Sequence, residues 1–426
     1  MLLFKNVKFL SPDTKVLESG DVLIAEDKIA DTGFGLEVND SNLSVIEGDY
    51  ILLPGMINAH LHPSKEVYGD ILDSSPIDIV LDKVHSNNEL EDAQGQFISS
   101  LKCLVTAVRK GVTTLGLFTS RIESDYRAAQ AISARCVMNF CQSNQWVGSG
   151  KSPQSKTTDT ILSEYLSAEN AYQNKLVTLT PATASELSAT DELLTGLHDV
   201  AVRYSKPFTL HVHEGSHQVK CHKDAYSQSG IKRMYELGVI DNNTTLIHAS
   251  HLDETDCEII KKSGCKIVHC PVSNSFVGAG TMPLAEFQST NAVGLGTDAA
   301  MVNPVNDLTF DALFTLYHHG DNDLLNKVNA EKIFDMMTIG GAEALGLEKI
   351  GRIQSGYKAD IIIYREKDID AGYINTPVSI LRMMHKEKPS DVIIDGRFIV
   401  KNNDFVNLDI RKISDSYSLL RRKITL

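Results

Sequence analysis

Between about residue 50 and residue 298, eight short β-rich runs alternate with longer segments of helical pattern. The runs are "YILLPGMINA", "GVTTLGLF", "RCVMNFCQ", "LVTLTPA", "PFTLHVHE", "TTLIHAS", "CKIVHCP" and "AVGLGTD". Several are near-continuously apolar, as parallel strands covered on both faces must be. Segments 89–109, 185–205 and 252–263 carry the spacing of amphipathic helices. This alternation predicts a closed (β/α)₈ TIM barrel, with an open doubly wound sheet as the runner-up. No Gly-x-Gly-x-x-Gly turn follows the first run, so the usual dinucleotide signal is missing. The chain ends read differently. Residues 1–49 ("NVKFL", "DVLIAEDKIADTG") and 357–406 ("KADIIIY", "DVIIDGRFIVKNNDF") carry short alternating runs with turn signals, which predict hairpins. The expected organisation is a small composite β-sandwich domain contributed by residues 1–53 and 351–426. The barrel occupies 54–350.

The 426 residues are 42% apolar and 23% charged, enough for a large core and unlike a disordered chain. The net charge of −14 disfavours nucleic acid or an anionic membrane as partner. No run of eighteen apolar residues occurs, and Lys5 and Lys8 break the apolar start, which makes a poor secretory signal. Seven scattered cysteines without a C-x-x-C pair read as reduced thiols of a cytoplasmic protein.

The polar residues at the run ends carry the chemistry. Side chains at i and i+2 of a strand share a face, so His60 and His62 in "PGMINAHLHPS" point to one place. Alone, such a pair reads equally well as two unrelated histidines in a polar loop. The fifth run, however, continues into His211, His213, Glu214 and His217; the sixth ends in His248 and His251; the eighth ends at Asp298. A barrel gathers its C-terminal strand ends at one mouth. Three imidazoles and a carboxylate there suit a catalytic Zn²⁺ or Fe²⁺ with an open position for water. His211 and His213 are themselves an H-x-H, and spacing does not choose between them.

These motifs resemble the amidohydrolase superfamily, in its branch of metal-dependent aminohydrolases, over nearly the whole chain. "PGMINAHLH" is similar to the family's first-strand motif, and "HVHE" to its H-x-x-E after strand five. "HCPVSNSFVGAGTMPL" resembles its H-N-P-x-S-N segment, and "GLGTDAA" its G-T-D motif. "MTIGGAEALGLEKIGRIQSGYKADIIIY" resembles the stretch that returns to the small domain. The resemblance implies one divalent metal ion, Zn²⁺ or Fe²⁺, held by His60, His62, His211 and Asp298. It makes Glu214 the acid/base group and His248 the residue that holds the attacking water and the developing alkoxide. His213, His217, His251 and His269 then become supporting residues. The fourth run has no lysine to carbamylate, which argues for one metal rather than two.

The implied reaction is hydrolytic deamination of a small nitrogen heterocycle by a metal-bound hydroxide, with release of ammonia. Asp298 would accept the water's proton and Glu214 would protonate a ring nitrogen. A hydrolytic dehalogenase or cyclic amide hydrolase is the enzyme alternative, and a non-catalytic metal-binding scaffold the alternative from another class. Relatives suggest a homodimer or higher homo-oligomer. The chain departs from the family at Ala182, where many relatives carry histidine. It also departs at "LGLFTS", which lacks an acidic residue, and just past His62.

Smaller signals are Tyr68, Trp146 and Asn303 as candidate substrate contacts; the alternatives are solvated surface for Tyr68, simple packing for Trp146, and for Asn303 a brace for the loop behind the metal or a plain turn. Asp73 is a further candidate contact, with solvated surface as its alternative. Asn274 is a candidate support for the site. His318 and His319 sit in a helical stretch, and "LLRRKITL" reads as a solvated or subunit-contact segment.

Overall fold

A computed structural model describes residues 1–69, 75–77, 79–80, 92–148, 156–287, 289–320, 328–369 and 376–424; Asp73 lies outside them. The first five strands are β1 (Leu2–Leu10), β2 (Leu17–Ala25), β3 (Lys28–Gly33), β4 (Ser44–Glu47) and β5 (Tyr50–Pro54). Eight barrel strands follow: β6 (Met56–Leu61), β7 (Val112–Thr119), β8 (Arg135–Cys141), β9 (Val177–Ser185), β10 (Phe208–Val212), β11 (Thr244–His248), β12 (Lys266–His269) and β13 (Val293–Leu295). The chain ends with β14 (Ile361–Arg365), β15 (Asp391–Ile394), β16 (Arg397–Lys401) and β17 (Asp404–Phe405).

Strands β6 to β13 pair in sequence order, and every pair is parallel. The ring closes at its C-terminal face, where Leu61 bridges Asp298 and the Asp298 N–H donates to the His60 carbonyl at 3.0 Å. The expected barrel is therefore present, and its closing contact runs through two residues singled out for chemistry. Helices Ala93–Arg109, Asp191–Arg203 and Glu254–Ser263 fall within the predicted helical segments. Inside the lower barrel, helix Ile339–Ala344 fills the space. A Cβ on Gly341 would lie 3.0 Å from Ile57, and the Thr245 hydroxyl donates to the Ala344 carbonyl at 2.8 Å. With the lower end filled, the accessible end is the C-terminal face.

The terminal strands join into one nine-stranded sheet, where β14 pairs antiparallel with β5. The run "YILLPGMINA" is thus two strands, β5 in this sheet and β6 in the barrel. Gly55 separates them because the chain there presses on its neighbour: a Cβ would sit 2.1 Å from the Thr113 hydroxyl. Arg135, at the start of β8, ties the two sheets together. It donates to Asp360 at 2.9 and 3.1 Å and to Asp395 at 3.2 Å, all three residues being buried. No helix among the described residues is long and apolar enough to cross a membrane.

The C-terminal helix Ile410–Arg421 corrects one expectation. Its basic run is not merely solvated. Arg421 donates to the carbonyls of Val67 (3.1 Å) and Gly69, and the Tyr417 hydroxyl donates to the Glu66 carbonyl at 2.9 Å. The helix therefore straps down the segment that follows the H-x-H pair.

Candidate metal centre and active site

Four side chains converge at the barrel mouth. The Nε2 atoms of His60 and His62 each lie 3.4 Å from Asp298 Oδ1, and His211 Nε2 lies 3.3 Å from His60 Nε2. A tetrahedral ion with ligand bonds of about 2.0–2.2 Å separates its ligand atoms by roughly 3.3–3.6 Å. Those three separations match that spacing; His60, His62 and His211 offer ligand atoms within 4.8 Å of one another, and so do His60, His248 and Asp298, so the donors at the mouth suit a zinc-like ion. Strand geometry produces the convergence. The β6–β7 register shifts between Asn58 and Leu61, so Leu61 faces outward and His60 and His62 face the mouth. His211 lies on β10 with Nδ1 2.6 Å from the Ala184 carbonyl, which fixes the proton on Nδ1 and leaves the Nε2 lone pair facing the cluster.

Burial disfavours the charged form of these imidazoles and so leaves them free to act as ligands. It lowers the pKa of His60 to about 4, and those of His62 and His211 to about 3. Burial opposes charge on Asp298 too, but the His60 hydrogen bond and the neighbouring histidines outweigh it and hold the carboxyl well below its usual range. Asp298 is further fixed by the Ser273 hydroxyl, which donates to Oδ2 at 2.6 Å, and by the Ala299 N–H at 2.8 Å on Oδ1. Its φ of +63° is a left-handed conformation, which clusters at functional sites.

Glu214 and His248 stand beside this cluster. His248 Nδ1 meets Asn274 Oδ1 at 2.8 Å, and the Asn274 amide donates to the Ser250 hydroxyl at 3.0 Å. That chain leaves His248 Nε2 pointing to Glu214 Oε1, 3.8 Å away. His248 Nε2 also falls in a group with His60 and Asp298 whose ligand atoms lie within 4.8 Å of one another. Burial raises the Glu214 pKa; His248 pulls it back, and the charges of Asp298 and Glu186 push it further up.

His211 Nε2 faces the cluster, whereas the His213 ring is turned away from it. The His213 ring is saturated: Nδ1 meets the His251 carbonyl at 2.9 Å and Nε2 accepts the Gly230 N–H at 3.0 Å. The other histidines lie outside the cluster. His217 is exposed, and His269 Nε2 pairs with His319 Nε2 at 3.0 Å. Two proposed substrate contacts are corrected. Tyr68 is fully buried, in a cluster with Val67, Val80, Met301 and Ile424, and offers no accessible surface. Asn303 is fully buried with its amide spent: it donates to the Thr297 carbonyl (2.9 Å) and Asp311 (3.0 Å) and accepts the Asn306 N–H (3.1 Å). It braces the loop behind Asp298. Trp146 is half-buried on the loop after β8.

Two residues at the site were not singled out from sequence. Phe118, at the end of β7, sets its ring centroid 4.4 Å from that of His211, 5.5 Å from His62 and 5.6 Å from His60. It walls the cluster with apolar surface where an acidic residue was sought; an aromatic at a barrel strand end was its only signal. Ser273, next to Asn274, acts through Asp298. Removing its hydroxyl (Ser273→Ala) is expected to weaken metal retention or turnover about 10–100-fold. Metal content after dialysis, measured beside the thermal midpoint, checks this; unchanged retention and turnover would contradict it.

Residues 51–399 match the amidohydrolase family. The chain belongs to that family. Amidohydrolases are metal-dependent, in keeping with the histidine and aspartate cluster. Among its relatives, this amidohydrolase is 25% identical to 5-methylthioadenosine/S-adenosylhomocysteine deaminase of Carboxydothermus hydrogenoformans over 418 residues, 97% of this chain and 95% of the relative. It is 24% identical to 5'-deoxyadenosine deaminase of Methanocaldococcus jannaschii over 433 residues, 99% of this chain and 100% of the relative. Its fold is similar to that of atrazine chlorohydrolase from Arthrobacter aurescens complexed with zinc. That likeness has a TM-score of 0.89 and 21% identity, covering 99% of this chain and 100% of the other.

Proposed function

We propose that this amidohydrolase deaminates a small nitrogen heterocycle bearing an exocyclic amine. The observation that carries the reading is a buried Glu214, whose pKa burial raises, within 3.8 Å of His248 and beside the histidine and aspartate cluster. His60, His62, His211 and Asp298 would hold a divalent ion, Zn²⁺ best suiting this donor set, which would supply the Lewis acidity that brings the pKa of water near neutrality. The protein's own groups do the rest. Asp298 takes a proton from the attacking water. Glu214 gives its proton to a ring nitrogen, which makes the adjacent carbon electrophilic. His248 Nε2, oriented through Asn274, stabilises charge on the incoming oxygen. The C–O bond forms, the proton that Asp298 took from the water passes to the exocyclic amine, and the C–N bond breaks to release ammonia. Phe118 keeps the imidazole cluster dry on one side.

The curated relatives support this reading, because two chains alignable over nearly their full length are named as deaminases of adenosine derivatives. The test is a panel containing 5'-deoxyadenosine, guanine and atrazine, with ammonia and chloride measured separately. Ammonia from at least one amine is expected. Chloride from atrazine with no ammonia from any member would overturn the proposal.

A further inference from the structure

Between β9 and β11 lies a buried polar cluster that the reading above does not use. Glu186, one residue past β9, is fully buried. Its Oε1 accepts the backbone N–H of His213 at 3.1 Å, and its Oε2 is enclosed without a partner. His213 is fully buried and held on every side. Its carbonyl accepts the N–H groups of Ser250 (3.1 Å) and His251 (3.2 Å), and its ring joins the His251 carbonyl and the Gly230 N–H. Its φ is +46°, a conformation that persists in a histidine only when the surroundings over-determine it. Gly230 allows the cluster to close: a Cβ there would sit 2.7 Å from Glu186 Cγ and 3.1 Å from His213 Nε2. The residue that leaves this locked turn is Glu214.

We propose that Glu186 and His213 form a clamp that fixes the left-handed turn before Glu214 and so aims the Glu214 carboxyl at the barrel mouth. Both are positioning residues, and their importance to turnover rests on the role given to Glu214 above. The β10 ladder ends at Val212, so the His213 N–H has no strand partner for its donor. A buried N–H without an acceptor is rarely tolerated. Glu186 supplies that acceptor from the neighbouring strand end. Without it the turn relaxes toward an ordinary φ, and Glu214 swings away from His248 Nε2.

Crystal structures and kinetics of Glu186→Ala and Glu186→Gln test this. Glutamine keeps an acceptor for the His213 N–H and is expected to keep Glu214 in place and recover most of the rate. In E186A, Glu214 should move by about 1 Å or more and kcat should fall about 100-fold, the size of loss that such a displacement causes. Metal content should not change. Combining E186A with E214Q should cost no more than E214Q alone, because both act through one carboxyl. If E186A does not fold, Gly230→Ala wedges the same cluster apart and should give the same displacement. An unmoved Glu214 in E186A, or in G230A where E186A does not fold, or losses that multiply in the double variant, overturns the clamp. A normal rate in E214Q instead overturns the role of Glu214, and with it the clamp's purpose in turnover.

Discussion

Changing Glu214 to glutamine is expected to lower kcat for ammonia release by about 10²–10⁴-fold, the range for loss of a positioned general acid. Metal content and thermal midpoint should stay as in the wild type, because Glu214 is not one of the four converging atoms. The pH dependence carries a sign. Burial raises the folded Glu214 pKa, so the carboxyl keeps its proton to a higher pH than an exposed glutamate. In the proposed mechanism its acid form is the working form. The rate it supports is therefore present below the raised pKa and is lost as pH rises through it. E214Q should erase that alkaline fall along with most of the rate. Ammonia release from the best substrate of the panel between pH 5 and 9 measures both effects.

The second large effect concerns stability. Arg135→Met is expected to destabilise the folded chain by about 3–5 kcal/mol in urea unfolding, the cost of stripping one partner from a buried ion pair. The arginine carries two hydrogen bonds to Asp360 and one to Asp395, and all three side chains are less than one-tenth exposed. Removing it strips buried Asp360 of its arginine, while Asp395 keeps Lys175 at 2.7 Å and Lys358 at 3.5 Å. Pairing R135M with Asp360→Asn should return part of the loss. A change below about 1 kcal/mol, typical of exposed pairs, would show that the terminal sheet is held to the barrel by other contacts.

The barrel is legible in the sequence because its strands are covered on both faces and so read as apolar runs. Its metal-binding potential is legible because histidines and a carboxylate gather at the ends of those runs. What the sequence hides is set by contacts far apart in the chain. Tyr68 follows the H-x-H pair closely enough to suggest a substrate contact, yet Ile424, more than 350 residues on, helps to bury it. The choice between His211 and His213 depends on where β10 stops. Alternation would put both on one face, but His213 takes φ of +46° and turns into a different hydrogen-bond network. Glu186 shows nothing in sequence, being one glutamate among many. Only the fold sets it against the His213 N–H.

The most direct test of the account is metal content joined to turnover in wild type and His211→Ala. The wild type should hold one equivalent of a divalent metal per chain by elemental analysis. It should lose ammonia release on chelation and regain it when zinc is returned. H211A, lacking one of the four converging atoms, should hold little metal and recover no activity. Full ammonia release from metal-free wild type, or one tightly held equivalent in H211A with normal turnover, would contradict it.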